Sequence, residues 1–122
     1  MQIDWTTSAQ GAGMRPGATR FSVAGERSSI TRVITAPDAI FDGRLHKHDH
    51  EQWLVMLNGR VELADDGVNY WVEAGDVVIF RRQTLHGALA VGDDGAEYLE
   101  IFAPARVDQL TGFVGSSPLE WS

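Results

Sequence analysis

Turn signals recur along this chain at intervals that leave room for strands and little else. Asp42-Gly43, Asn58-Gly59, Asp65-Asp66-Gly67, Glu73-Ala74-Gly75-Asp76 and Gly92-Asp93-Asp94-Gly95 separate short apolar runs: Trp53–Leu57, Arg60–Leu63, Val68–Val72, Val77–Phe80, Leu85–Val91 and Ala96–Phe102. Asn-Gly and Asp-Gly tolerate positive φ and so favour tight hairpins. Upstream, Thr19–Val23 alternates and Ser28–Thr35 is β-branched, as extended chain prefers. Pro37 then interrupts, and Ile40-Phe41 suggests a short further strand. No stretch keeps a 3.6-residue apolar period long enough for a helix, although Val107–Leu110 suits one helical turn. Short strands with turns about every 8–12 residues predict an all-β barrel or sandwich.

The chain has 122 residues, one domain's worth. Residues 1–18 read as an N-terminal arm or edge strand, because Ile3 and Trp5 alternate before the loop-like Gln10–Gly17. Residues 19–110 form the expected barrel, and 111–122 a lightly structured tail whose Trp121 packs on the barrel or on a partner. The net charge of −7 repels phosphate backbones and anionic lipid, so no nucleic acid or membrane partner is expected. No apolar run is long enough for a membrane span. Met1–Trp5 lacks a leader-like pattern, and the absence of cysteine fits a cytoplasmic protein. An edge strand and a Trp-bearing tail on so small a barrel suggest a homodimer.

The chemistry concentrates in His46-Lys47-His48-Asp49-His50-Glu51-Gln52. Alternate residues of a strand share a face, so His46 and His48 can aim two imidazoles into one cavity, and Gln52 keeps the same parity. His86, the remaining histidine outside this segment, lies in a run that a neighbouring strand can bring alongside. Imidazole nitrogens with one oxygen donor suit a borderline divalent ion such as Zn, Ni, Fe, Co or Mn. The expected metal ligands are therefore His46, His48, Gln52 and His86. The run Trp53–Leu57 ties them to a buried strand. On the later strand, Tyr98, Glu100 and Phe102 share one face, so Glu100 points either to the cavity or to solvent.

Two segments resemble the cupin motifs. Gly43, His46, His48, Gln52 and Gly59 match the first, and Gly75–Phe80 followed by His86 matches the second, with Gln52 where many cupins carry glutamate. The resemblance implies a double-stranded β-helix, that is, a cupin or jelly-roll barrel. It also implies that His50 sits beyond the ligands and orients one of them by a hydrogen bond. Over roughly residues 15–110 the chain further resembles small single-domain cupins that open 4,5-unsaturated monouronates to linear keto forms. The segments that carry this are Arg15–Arg20, His46–Gln52, and Glu100-Ile101-Phe102-Ala103-Pro104-Ala105-Arg106. That likeness implies metal ligation by His46, His48, Gln52 and His86, and active-site roles for Glu100, Phe102 and Arg106. Glu100 stands where that group usually has aspartate. A small anionic or carbohydrate-derived substrate follows, its carboxylate paired with Arg20, Arg44 or Arg106, with Tyr98 or Gln109 assisting. Two other functions fit the motifs: a metal-dependent dioxygenase with Trp53, Met56, Phe80 and Phe102 as an aromatic wall, and a non-catalytic sugar-binding or sensing cupin.

Overall fold

A computed structural model describes residues 1–5 and 15–122; the loop expected at Gln10–Gly17 falls largely outside them. Among these residues the fold is all-β, a curled antiparallel sheet of the double-stranded β-helix type. β1 (Ala18–Ala24) and β2 (Ser29–Thr35) form a hairpin, and β3 (His46–Lys47) is a short bridge. Two long strands organise the rest: β4 (Glu51–Asp65) and β7 (His86–Ala103) pair along nearly their whole length. The other edge of β4 pairs first with β6 (Val77–Phe80) and then with β5 (Val68–Glu73). β7 pairs on its other edge with β2 and, at His86, with His46. β8 (Glu120–Trp121) closes onto β3, and Val107–Gln109 makes the expected single helical turn, of 3₁₀ type.

Strand alternation divides the sheet cleanly. Val33, Leu54, Met56, Val61, Leu63, Val72, Val78, Phe80, Ala96 and Tyr98 face inward and form the core. Their neighbours along each strand face outward, as the period of two requires. Among the described residues no helix is long and apolar enough to cross a membrane.

Several expectations are corrected. Asn58-Gly59 is not a hairpin turn: β4 runs straight through it, and the register against β7 slips there as a bulge. A bulge needs the same positive φ as a tight turn, and Gly59 supplies it at φ 73. Gly92–Gly95 likewise lies within β7. Neither Ile40-Phe41 nor Met1–Trp5 forms a strand, since neither finds a sheet edge to pair with. The tail is better ordered than expected, because β8 adds to the sheet and seats Trp121 on the barrel.

At Gly59 the bulge brings two strands unusually close. A Cβ there would lie 1.9 Å from the Gly95 carbonyl oxygen. Gly59→Ala is therefore expected to cost about 2–3 kcal/mol, from overpacking against backbone combined with the left-handed φ. Chemical denaturation measures this, and an unchanged midpoint would contradict it.

Candidate metal centre

The His46 ring is placed by β3 and the His86 ring by the start of β7, directly opposite each other in the ladder. His48 follows β3 on the same parity and is 1% exposed. Gln52, at the start of β4, is equally buried. The candidate ligand atoms of His46, His48 and His86 all lie within 4.8 Å of one another. This cluster is positioned to chelate a divalent ion. Gln52 Oε1 sits among them, 3.1 Å from His48 Nε2 and 3.0 Å from His86 Nε2.

The donors are in the state a cation requires. Burial, reinforced by the neighbouring His86 ring and the Arg106 charge, holds the His46 and His48 imidazoles down to about 3. Burial also lowers His86. All are neutral at pH 7. His86 Nδ1–H donates to the Thr84 carbonyl at 2.8 Å, which leaves a bare lone pair on Nε2. The Gln52 amide donates its Nε2–H to Glu100, which turns its Oε1 toward the rings. Two lone pairs, His86 Nε2 and Gln52 Oε1, thus face each other with no proton to share, and a cation resolves that arrangement. The residues present fit a borderline divalent metal.

Surrounding groups fix the rings. Phe80 stacks on His86 with centroids 4.4 Å apart. Phe102 meets His48 edge-on at 5.9 Å. His50 stands outside the cluster, its Nδ1 3.2 Å from His48 Nδ1, in the orienting position expected of it.

A cavity of about 320 Å³ opens in front of the cluster. Of the residues singled out from the sequence, Glu100, Arg20, Arg106, Tyr98 and Gln109 line it. Glu100 therefore faces the cavity and not solvent. Burial raises its carboxyl above the usual range, against the opposing pull of Arg106, Arg20 and Arg15. Burial pushes the Tyr98 phenol up to about 12, so it stays protonated. The Arg106 guanidinium lies over Phe102, 5.3 Å from the ring centroid. The same group grips Asp108 with two bonds of 3.0 and 3.2 Å, and its backbone N–H donates to Ser29 Oγ at 2.9 Å. Gln109 is held by a 2.7 Å bond from Thr31 Oγ1.

Some expected members lie elsewhere. Arg44 is outside this cavity, stacked on Trp121. Trp53 projects from the outer face at 38% exposure and is not part of this cavity's lining. Met56 belongs to the core and Phe102 sits behind His48 outside the cavity lining, whereas Phe80, itself a core residue, does line the cavity. Sequence reasoning gave no site role to Arg15, Ser117, Leu119 and Trp121, all of which line the cavity. Arg15 carried a signal in its charge beside Pro16-Gly17; the tail residues carried none beyond the cost of leaving a tryptophan in water.

The model of the cupin domain matches residues 32–102, spanning both histidine segments. The chain is a cupin. No curated protein matches it. Among solved structures, an RmlC-like cupin from Shewanella frigidimarina is 23% identical with a TM-score of 0.74, over 87% of this chain and 92% of that one. KdgF from Halomonas sp. is 24% identical with a TM-score of 0.71, over 82% and 90%. The polyketide cyclase RemF from Streptomyces resistomycificus is 18% identical with a TM-score of 0.71, over 97% and 89%. These likenesses concern the fold of the cupin, and its chemistry rests on its own residues.

Proposed function

We propose that this cupin is a metal-dependent enzyme that opens an unsaturated uronate-like acid to its linear keto form. The observation that carries the reading is Glu100. It is a carboxyl with raised pKa, bonded to the Gln52 amide and facing the same cavity as the histidine cluster and two buried arginines. His46, His48, Gln52 and His86 would hold the ion, with Gln52 as the one oxygen donor. When bound, the ion supplies positive charge that stabilises the enolate oxygen released as the ring opens.

Arg20 and Arg106 place positive charge where a substrate carboxylate can dock, in the fork geometry that guanidinium offers. Glu100 takes the anomeric hydroxyl proton. The C1=O bond then forms as the C1–O bond to the ring oxygen breaks, and the electron pair passes to that oxygen as an enolate. Glu100 returns the proton to C4, leaving a ketone at C5, so the reaction is an isomerisation with no co-reactant. A carboxyl whose pKa is raised by burial holds a returned proton more readily than an exposed one, which suits the second half of this transfer. Phe102 packs against His48 and under Arg106, keeping the two in place. Tyr98, protonated throughout, serves as a hydrogen-bond donor at the cavity wall.

The test is incubation of metal-replete protein with an unsaturated monouronate, following loss of the conjugated absorbance. Acceleration over the spontaneous rate supports the reading, and a rate equal to the control contradicts it.

A homodimer is part of the same proposal. Ile79, Trp53, Ile101 and Ile30 form one row across the outer face of β6, β4, β7 and β2, with Val77, Val55 and Leu99 beside it. Several are well exposed, among them Val77 at 56% and Trp53 at 38%. Contiguous apolar surface of this kind marks an interface. The Arg32–Glu97 pair at its edge is internally neutral, with a 2.9 Å bond, so a second copy of this acidic chain meets no repulsion there. Sedimentation at about 10 µM is expected to give a dimer, and Trp53→Asp to shift it to monomer; a wild-type monomer would contradict this.

A further inference from the structure

Trp121 stands between two chambers. The inner one, of about 320 Å³, is lined by His46, Gln52, His86, Glu100 and Arg106. The outer one, of about 300 Å³, is lined by Asp42, Arg44 and Ile40, and shares Arg15, His46, Ala88 and Trp121 with the inner. The indole meets the His46 ring edge-on at 5.2 Å. The Arg44 guanidinium lies 4.2 Å from the indole centroid, and Arg15 is seated in the same way on Phe41 at 4.5 Å. Stacked guanidiniums keep their N–H edges available to an anion. Among the described residues Asp42 is the one carboxylate of the outer lining, and one of its oxygens accepts the Arg44 backbone N–H at 3.0 Å. The outer chamber thus carries a local positive excess in a chain of net charge −7.

The partition is held lightly. β8 is two residues long and pairs only with β3. Beyond it, Ser122 N–H donates to the Leu45 carbonyl at 3.0 Å. Trp121 is 47% exposed and has no part in the core. Removing its side chain would join the chambers without disturbing the strands that place the ligands.

We propose that Trp121 is the specificity-determining residue of the site: it limits the inner cavity to acids of a single sugar ring. Its absence opens a path from the inner cavity to Arg44, which would receive the carboxylate of a second ring. The inner volume, at the low end of small-molecule sites (~300–1,000 Å³), agrees with a one-ring limit. This inference rests on the reading that the cavity takes uronate-class acids, and extends it to their size.

The test uses zinc-loaded protein with galacturonate and digalacturonate, saturated acids that undergo no ring opening, and reads binding by calorimetry. Wild type is expected to prefer the one-ring acid. Trp121→Ala should shift the ratio of affinities toward the two-ring acid by about tenfold or more, the size of one added charge-assisted contact. Trp121→Phe should keep the wild-type ratio, and Trp121→Ala combined with Arg44→Ala should lose most of the gain. Metal content should be equal in all four proteins. A wild-type preference retained in Trp121→Ala, or a gain that persists without Arg44, overturns the inference while leaving the acid reading in place. If neither acid binds any of the four proteins, the acid reading falls and this inference with it.

Discussion

Glu100→Gln is expected to lower kcat for uronate ring opening by about 10²–10⁴-fold, the range for losing a positioned general acid–base. Its metal content should not change. The substitution keeps the length and shape of the side chain, and its amide oxygen can still accept the Gln52 Nε2–H bond that aims Gln52 Oε1 at the imidazoles. What it removes is a group that takes and returns a proton. KM should move little, since Arg20 and Arg106, the proposed carboxylate contacts, are unchanged. Steady-state kinetics with metal analysis of the same sample separates the outcomes. Loss of turnover at full occupancy is expected; undiminished kcat would remove Glu100 from the chemistry. Glu100→Asp, which keeps the carboxyl and shortens its reach, should retain more activity than Glu100→Gln.

His86→Ala is expected to weaken divalent-metal binding by at least about 100-fold, more than the loss typical of a residue that merely orients a ligand. His86 is the ligand whose tautomer is best fixed, by its bond to the Thr84 carbonyl, and it is sandwiched by Phe80. With it gone, the remaining two imidazoles and the amide cannot close a pocket around the ion. The barrel should stay folded, because the core of Val33, Leu54, Met56, Val61 and Leu63 does not depend on His86. Loss of the Phe80 contact should cost about 1–2 kcal/mol. Competition with a coloured chelator measures the affinity, and circular dichroism checks the fold. Stoichiometric metal in the variant would show that the ion sits elsewhere.

How much of this was legible in the sequence varies from residue to residue. His46, His48 and Gln52 lie within one short segment and share a strand parity, but so does His50; the bend at Asp49-His50 between β3 and β4, which parity does not record, leaves His50 outside the cluster. That His86 would stand opposite His46 required the long-range register of β3 against β7, which no local pattern records; the expectation came from the apolar run that carries it. Glu100 was ambiguous, because a lone carboxylate on an alternating strand suits solvent as well as a cavity. Its face was decided by Tyr98 and Phe102, which share its parity and are both buried.

The failures have physical causes as well. Asn58-Gly59 was read as a reversal because a bulge and a tight turn make the same demand on φ. Only the partner strand distinguishes them, and β7 is long enough to pair on both sides of the slip. The tail was read as loose because a two-residue strand shows no alternation. Its order comes from the free edge of β3, the stacking of Arg44 on Trp121 and the bond from Ser122 to Leu45. Arg44 was drawn out of the inner cavity by that same ring, and Arg15 took a place in its wall.

The most direct measurement of the metal centre is anomalous diffraction at the zinc edge from crystals soaked in zinc at near-stoichiometric concentration. One peak is expected, bonded to imidazole nitrogens of His46, His48 and His86 at about 2.0–2.1 Å, with Gln52 Oε1 as the oxygen donor. A peak held by fewer than three of these histidines, or none in this cavity, would contradict the metal centre and the chemistry built on it.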